Sequence, residues 1–182
     1  MARLTTPRLD LVPLRLEDAD EMVAVLADER LYRFIGGRPP SLDELRARYA
    51  RLAGGRSPDG TEAWHNWIVR RREDGRAVGI VQATIRSDGR TADIAWVIGL
   101  PWQGSGHASE AAIELVRWLG TQDVGTVTAR VHPDHVASAA VAERAGLRAT
   151  DEIDHGERVW RLTFGPAVRT SAATRGVRQS RG

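Results

Sequence analysis

The segment from Thr91 to Leu119 constrains the fold of this chain more than any other. A strand-like run, T-A-D-I-A-W-V-I, passes through G-L-P-W into Q-G-S-G-H-A, and a long helical pattern follows. Ala108, Ala111, Ala112, Leu115, Val116 and Leu119 recur at helical spacing, so one face of that helix packs on a sheet. Gly104 and Gly106 let the backbone turn tightly and come close to a ligand. The first N–H groups of the helix have no partner within it, and with the positive end of the helix dipole they favour an anion. The spacing predicts a phosphate cradle at a strand–helix junction. The same glycines would also serve a purely structural turn, and the flanking segments decide between the two.

Several phosphate-binding classes are excluded. No Gly-Lys-Ser/Thr follows the glycines and the chain has no lysine, which removes the P-loop. A dinucleotide fold is disfavoured, because G-x-G-x-x comes late, without a clean βαβ unit and the acidic residue that should follow. The absence of cysteine rules out disulfides, thiolate catalysis and cysteine-based metal sites. His65, His107, His132, His135 and His155 include no i,i+4 pair, and no metal site is expected. No apolar run approaches about 18 residues and the N-terminus lacks a signal-peptide core, so a soluble cytoplasmic protein with no membrane role is expected.

The net charge of +2 is set by the C-terminus. After Gly165 the chain carries four arginines and no acid, which leaves residues 1–165 slightly acidic. Residues 166–182 are poor in large apolar side chains and are expected to form a disordered basic tail. Residues 1–165 are the right size for one domain with one buried core. A nucleic-acid role would need a basic face on the folded part, and none is expected.

Along the chain, Arg8–Leu14 reads as a first strand and Glu17–Ala27 as an amphipathic helix with an acidic first turn. Ser41–Leu52 reads as a second helix, with Ser41 and Glu44 spaced as a capping box after a double proline. G-G-R-S-P-D-G-T is an exposed loop. Asn66–Arg71 and Val78–Ile85 form a hairpin across E-D-G-R, and S-D-G-R leads into a strand over Thr91–Ile98. Thr126–Val131, a helix over Ala137–Ala145, and strands over Arg148–Ile153 and Arg158–Phe164 complete a mixed α/β plan without internal repeats.

Three ordered motifs resemble the GNAT N-acetyltransferase superfamily. Its acyl-CoA signature Q/R-x-x-G-x-G/A is matched by Gln103, Gly106 and Ala108. Its Asn-x-x-Ser or Asn-x-x-Ala segment, opening a short helix that ends in Gly-Phe, is matched by H-V-A-S-A-A-V-A-E-R-A-G-L, from His135 through Ser138 to Gly146 and Leu147. T-T-P-R-L-D-L-V-P-L followed by E-D-A-D looks like the opening of the branch that includes the ribosomal-protein N-terminal acetyltransferases. The resemblance spans roughly residues 4 to 164. It implies a strongly twisted, V-split mixed sheet of about seven strands, flanked by about four helices, with acetyl-CoA as co-substrate in the split.

Acyl transfer to an amine needs a base for the amine's proton, an acid for the leaving thiolate and a donor for the charge that develops on the acyl oxygen. The resemblance assigns the backbone of Val97 and Ile98 to the pantetheine arm and the acyl oxygen. It assigns the loop Gln103, Gly104, Ser105, Gly106, His107 and Ala108 to the pyrophosphate. The tyrosine that many members use as acid is replaced by Ala142, which makes Ser138 the leading acid candidate; a helix-capping role for Ser138 is the alternative. His135 replaces the motif asparagine, and its ring could still bond the pantetheine. Asp93 is the favoured base, because Asp is disfavoured inside strands and the branch often has glutamate here; an ordinary strand carboxylate is the alternative. Glu157, in the final turn, is the weaker candidate, and Glu110 reads as structural.

Trp64, Trp67, Trp96 and Trp102 flank the proposed site and would line an acceptor pocket or belong to the core. The acceptor is a small-molecule amine or a peptide N-terminus. Monomer and homodimer both stay open. A non-catalytic acyl-CoA-binding or regulatory module on the same scaffold is the alternative to an enzyme.

Overall fold

The computed structural model describes residues 1–165, and the arginine-rich tail lies outside the described residues. In chain order the elements are β1 (Leu4–Thr5), β2 (Leu9–Pro13), α1 (Ala19–Val25), α2 (Tyr32–Ile35), α3 (Leu42–Ala53), β3 (Ala63–Arg71), β4 (Ala77–Ile85), β5 (Thr91–Ile98), α4 (His107–Leu119), β6 (Thr126–Val131), α5 (Val136–Arg144), β7 (Arg148–Asp154) and β8 (Glu157–Thr163). The strands form one sheet in the order β1-β2-β3-β4-β5-β6-β8-β7. Neighbours run antiparallel except β5 and β6, which are parallel.

The mixed α/β plan expected from the sequence is the one observed, with eight strands rather than about seven and five helices rather than about four among the described residues. The additional strand β1 has two residues, which pair with Leu11 and Asp10. The additional helix α2 is a single turn. Neither is long enough to display a period.

Period-two alternation gives the sheet two covered faces. Ala92, Ile94 and Ile98 of β5 join Leu9, Leu11, Val69, Val81 and Ala83 under α4, whose Ala111, Ala112, Leu115 and Leu119 are fully buried. Ile68 and Ile80 point to the opposite face and pack with Ala19, Met22, Leu45 and Tyr49 of α1 and α3. The capping box at the start of α3 forms as its spacing predicts. Ser41 Oγ accepts from the Glu44 N–H at 3.2 Å, and Glu44 Oε2 accepts from the Ser41 N–H at 2.8 Å. Arg38 also grips the Glu44 carboxylate, and with these bonds holds its pKa down at about 2. From that start, α3 turns the face that carries Leu45 and Tyr49 onto the sheet.

The β4–β5 pair is packed to its limit. A Cβ added at Gly79 would lie 2.2 Å from the Val97 carbonyl oxygen and 2.6 Å from Ile98 Cδ1. Gly79→Ala is therefore expected to destabilise the fold by about 2–3 kcal/mol, which lowers Tm by roughly 4–12 °C in a chain of this size. A thermal melt of this variant within about a degree of the parent would show that β4 and β5 are not so closely apposed.

Candidate active site

The two halves of the sheet meet only at the start of β5. Thr91, Ala92 and Asp93 pair with Thr126, Val127 and Thr128, and the pairing then stops. Beyond that point β5 keeps β4 on one edge as far as Ile98, while β6 runs on against β8. The result is an open V between Ile94–Ile98 of β5 and Ala129–Val131 of β6. Asp93 stands at its apex. Thr128 Oγ1 donates to Asp93 Oδ1, and Arg86 donates to Oδ2 through Nε at 2.9 Å, with another guanidinium nitrogen in an ion pair 2.7 Å from the same oxygen. Arg130 adds a second cation 3.9 Å from Oδ1.

Strand parity decides which backbone groups line the V. The Arg86 N–H donates to the Thr91 carbonyl and the Gly99 N–H to the Val78 carbonyl, so odd-numbered residues of β5 turn their backbone groups to β4. Trp96 and Ile98 therefore present N–H groups to the open edge. Val97 turns its backbone to β4 and its side chain to the α1 and α3 face, where it lines a cavity.

The cradle follows immediately. Gly104 and Gly106 are both in the left-handed region, with φ of 75° and 82°. The space where a Cβ of Gly104 would stand is empty. The Gln103 amide donates to the Ile98 carbonyl at 2.8 Å, which ties the loop to the end of β5. His107 is buried, with Nδ1 3.2 Å from the Trp102 carbonyl oxygen. Gly106 caps α4 without a side-chain bond, and the first intrahelical bond runs from the Glu110 N–H to the Gly106 carbonyl. Among the described residues, no acceptor meets the N–H groups from Gly104 through Ser109. These are the donors an anion would take.

Two arginines join the cradle from distant parts of the chain, and neither was singled out from the sequence. Arg8 Nε donates to Glu110 Oε2 at 2.6 Å, and another nitrogen of its guanidinium donates to the Ser105 carbonyl at 3.0 Å. Glu110 Oε1 accepts from Thr6 Oγ1 at 2.6 Å and from the Arg8 N–H at 2.9 Å. Burial alone would raise the Glu110 pKa, but these bonds outweigh it and hold the carboxyl below its ordinary value. The acid in the first turn of α4 is thus neutralised before a phosphate arrives. From the other side, Arg144 of α5 approaches Ser109 Oγ at 3.5 Å. A separation of 102 residues between Arg8 and Glu110 leaves no local pattern to read.

Ser138 is the third residue of α5, and its hydroxyl has no hydrogen-bond partner among the described residues. It does not cap the helix; His135 occupies the N-cap position, also without a side-chain bond. The His135 ring stacks on Phe34 of α2, with centroids 4.5 Å apart and planes 23° from parallel. Burial, and then the neighbouring His132, hold the His135 pKa below its ordinary value. Ala142 is fully buried, in the position where many members of the superfamily carry tyrosine. Glu157 opens β8 at the tip of the β7–β8 hairpin, opposite Asp154.

The tryptophans divide. Trp67 is fully buried and donates to the Ala2 carbonyl at 2.9 Å, while Trp96 and Trp102 pack partly buried against the core. Trp64 donates to Glu62 and lines a cavity of about 240 Å³ with Met1 and Leu52, remote from the cradle. A smaller cavity of about 80 Å³ lies beside the V, between α3 and residues 95–97 of β5. Among the described residues no group of three or more His, Asp or Glu is placed to hold a metal, and no helix is long and apolar enough to cross a membrane.

A parted sheet with an uncapped anion cradle at the mouth defines an acyltransferase scaffold, and the comparisons agree. Residues 8–148 match the profile of the acetyltransferase (GNAT) domain. A GNAT-family acetyltransferase from Bacillus anthracis shares the fold with a TM-score of 0.76 at 19% identity, covering 89% of this chain and 98% of that one. An acetyltransferase from Agrobacterium tumefaciens gives a TM-score of 0.72 at 25% identity, covering 90% and 95%. RimL, a ribosomal-protein alpha-N-acetyltransferase solved with coenzyme A, gives 0.75 at 16% identity, covering 89% and 98%. No curated protein matches the chain in sequence. The chain belongs to the GNAT acetyltransferase family. It is an N-acetyltransferase.

The empty space at Gly104 makes it the cleanest probe of the cradle. Gly104→Asp adds a negative charge where a phosphate is to sit, at a positive φ that aspartate tolerates better than most residues. Coenzyme A binding measured by calorimetry is expected to weaken 10- to 100-fold, about 1.4–2.8 kcal/mol, with the fold retained. Unchanged affinity in a folded variant would remove the cradle assignment.

Proposed function

We propose that the protein transfers an acetyl group from acetyl-CoA to a primary amine by direct attack, with both substrates held in the V at once. The observation that carries this reading is the run of unpartnered N–H groups from Gly104 through Ser109 at the open edge of β5. Acetyl-CoA supplies an acyl group already activated as a thioester. The residues present suit it: the N–H groups of Gly104 through Ala108 hold the pyrophosphate, and Arg8 and Arg144 add positive charge beside them. RimL and an aminoglycoside acetyltransferase of the same fold were solved with coenzyme A.

The remaining chemistry falls to the chain's own groups. The Trp96 and Ile98 N–H groups on the open edge of β5 are fixed donors for the acyl oxygen as negative charge develops on it. The unpartnered Ser138 hydroxyl is free to donate a proton to the leaving sulfur. Asp93 is already engaged on both oxygens by Thr128 and Arg86, and we assign it first to holding the apex of the V. The amine's proton then leaves through water. The acceptor is a small amine or a peptide N-terminus, in keeping with the ribosomal-protein and aminoglycoside substrates named for the neighbours. A cytoplasmic setting and a monomer or homodimer both accord with this reading.

Two substitutions test these roles. Ser138→Ala is expected to lower turnover roughly 10²-fold with little change in the acetyl-CoA dissociation constant; turnover within about twofold of the parent would retire Ser138 as the acid. Asp93→Asn is expected to destabilise the fold by about 1–3 kcal/mol, through loss of the Arg86 and Thr128 contacts, while the acid limb of turnover against pH persists. Full stability with a flattened acid limb would instead make Asp93 the base.

A further inference from the structure

The cavity beside the V carries more polar equipment than folding requires. Its floor is residues 95–97 of β5, and its roof is α2 and α3, so a molecule seated there lies against the strand that carries the Trp96 and Ile98 N–H groups. Tyr49 lines it from α3. The Tyr49 residue is 1% exposed, and its hydroxyl, shut off from solvent, has no hydrogen-bond partner among the described residues. Its ring packs with Met22, Leu45, Ile68 and Ile80, a task phenylalanine would perform without orphaning a hydroxyl. Burial pushes the phenol pKa up, so the group stays protonated and remains a donor. Tyr32, on the same cavity, is already spent, donating to the Leu26 carbonyl at 3.0 Å.

Arg48 stands at the rim of the cavity, close enough for its charge to be felt at both phenols. The other arginines of α3 are occupied. Arg46 pairs with Asp20 at 2.7 Å, and Arg51 donates to the Ala47 carbonyl at 3.3 Å. Arg48 has no ion-pair partner among the described residues. The Gln82 amide, also lining the cavity, makes no hydrogen bond among them either. An arginine side chain and an amide, both without partners among the described residues, thus line the cavity with no carboxylate in the lining, which complements an anionic group rich in oxygen acceptors. The volume of about 80 Å³ is small. A compact group fits it.

We infer that the acceptor is an amine carrying a carboxylate a few bonds from its nitrogen, an amino acid or close analogue. Arg48 and Gln82 take the carboxylate, while the amine faces the open edge of β5. This rests on the acetyl-transfer reading above and narrows it. A peptide N-terminus has that carboxylate converted to an amide and forfeits the ion pair.

The test compares matched acceptors with the whole chain and acetyl-CoA: amino acids, their primary amides, the decarboxylated amines, and dipeptides. Released coenzyme A is read with a thiol reagent, to which a protein without cysteine contributes nothing. The acid is expected to exceed its amide at least 10-fold in kcat/KM, mostly through KM. Arg48→Ala should bring that ratio close to one, and Arg48→Lys should restore part of it. Amides or dipeptides used as well as the acids, or a ratio that survives Arg48→Ala, would overturn the inference and leave acetyl transfer standing. Failure of every amine to release coenzyme A would overturn both, whereas acid-selective binding in calorimetry without release would sustain the pocket and overturn the transfer.

Discussion

The structure depends on where the parallel pairing of β5 and β6 ends. Three residues of each strand are in register, and at Asp93 and Thr128 the two halves of the sheet part. A longer ladder would close the sheet and satisfy the backbone of Ile94–Ile98; a shorter one would leave the halves unjoined. The apex is held by a compact charged cluster, Asp93 with Arg86, Arg130 and Thr128, in a partly buried position where such contacts are worth more than on an open surface. The backbone donors left on the open edge are what a transfer reaction needs to stabilise charge on an acyl oxygen, and they are supplied by fixed β geometry, not by a mobile loop.

The cradle is a second solution to a related problem. Uncapped amides at a helix start are costly unless water or a ligand takes them, and here the local acid, Glu110, works against an anionic ligand. The N-terminal hairpin resolves the conflict. Arg8 neutralises Glu110, and its bond to the Ser105 carbonyl draws that oxygen onto the arginine, leaving the loop N–H groups free. Gln103 ties the same loop to the Ile98 carbonyl, so cradle and strand end move as one piece.

Much of this was legible in the residues. The α4 periodicity, the glycines that adopt positive φ, the Ser41–Glu44 capping box and the limits of β5 are all local patterns, and each appears where the spacing puts it. What the sequence did not disclose is long-range. The Arg8–Glu110 latch, the Arg144 approach to Ser109 and the stack of His135 on Phe34 join segments with no shared period. The direction of the Val97 backbone depends on strand parity across β4, which only the hydrogen-bond register fixes. The commitment of Asp93 to Arg86 and Thr128 likewise follows from the meeting of three strands.

The central claim is that the amides of the cradle and of the open strand edge receive acetyl-CoA. It is tested most directly by following backbone amide resonances in uniformly labelled protein as acetyl-CoA is added. The account predicts large, saturable shifts at Gly104 through Ser109 and at Trp96 and Ile98, with little change across the β7–β8 hairpin. Saturable binding that left these amides unmoved and shifted others instead would contradict it.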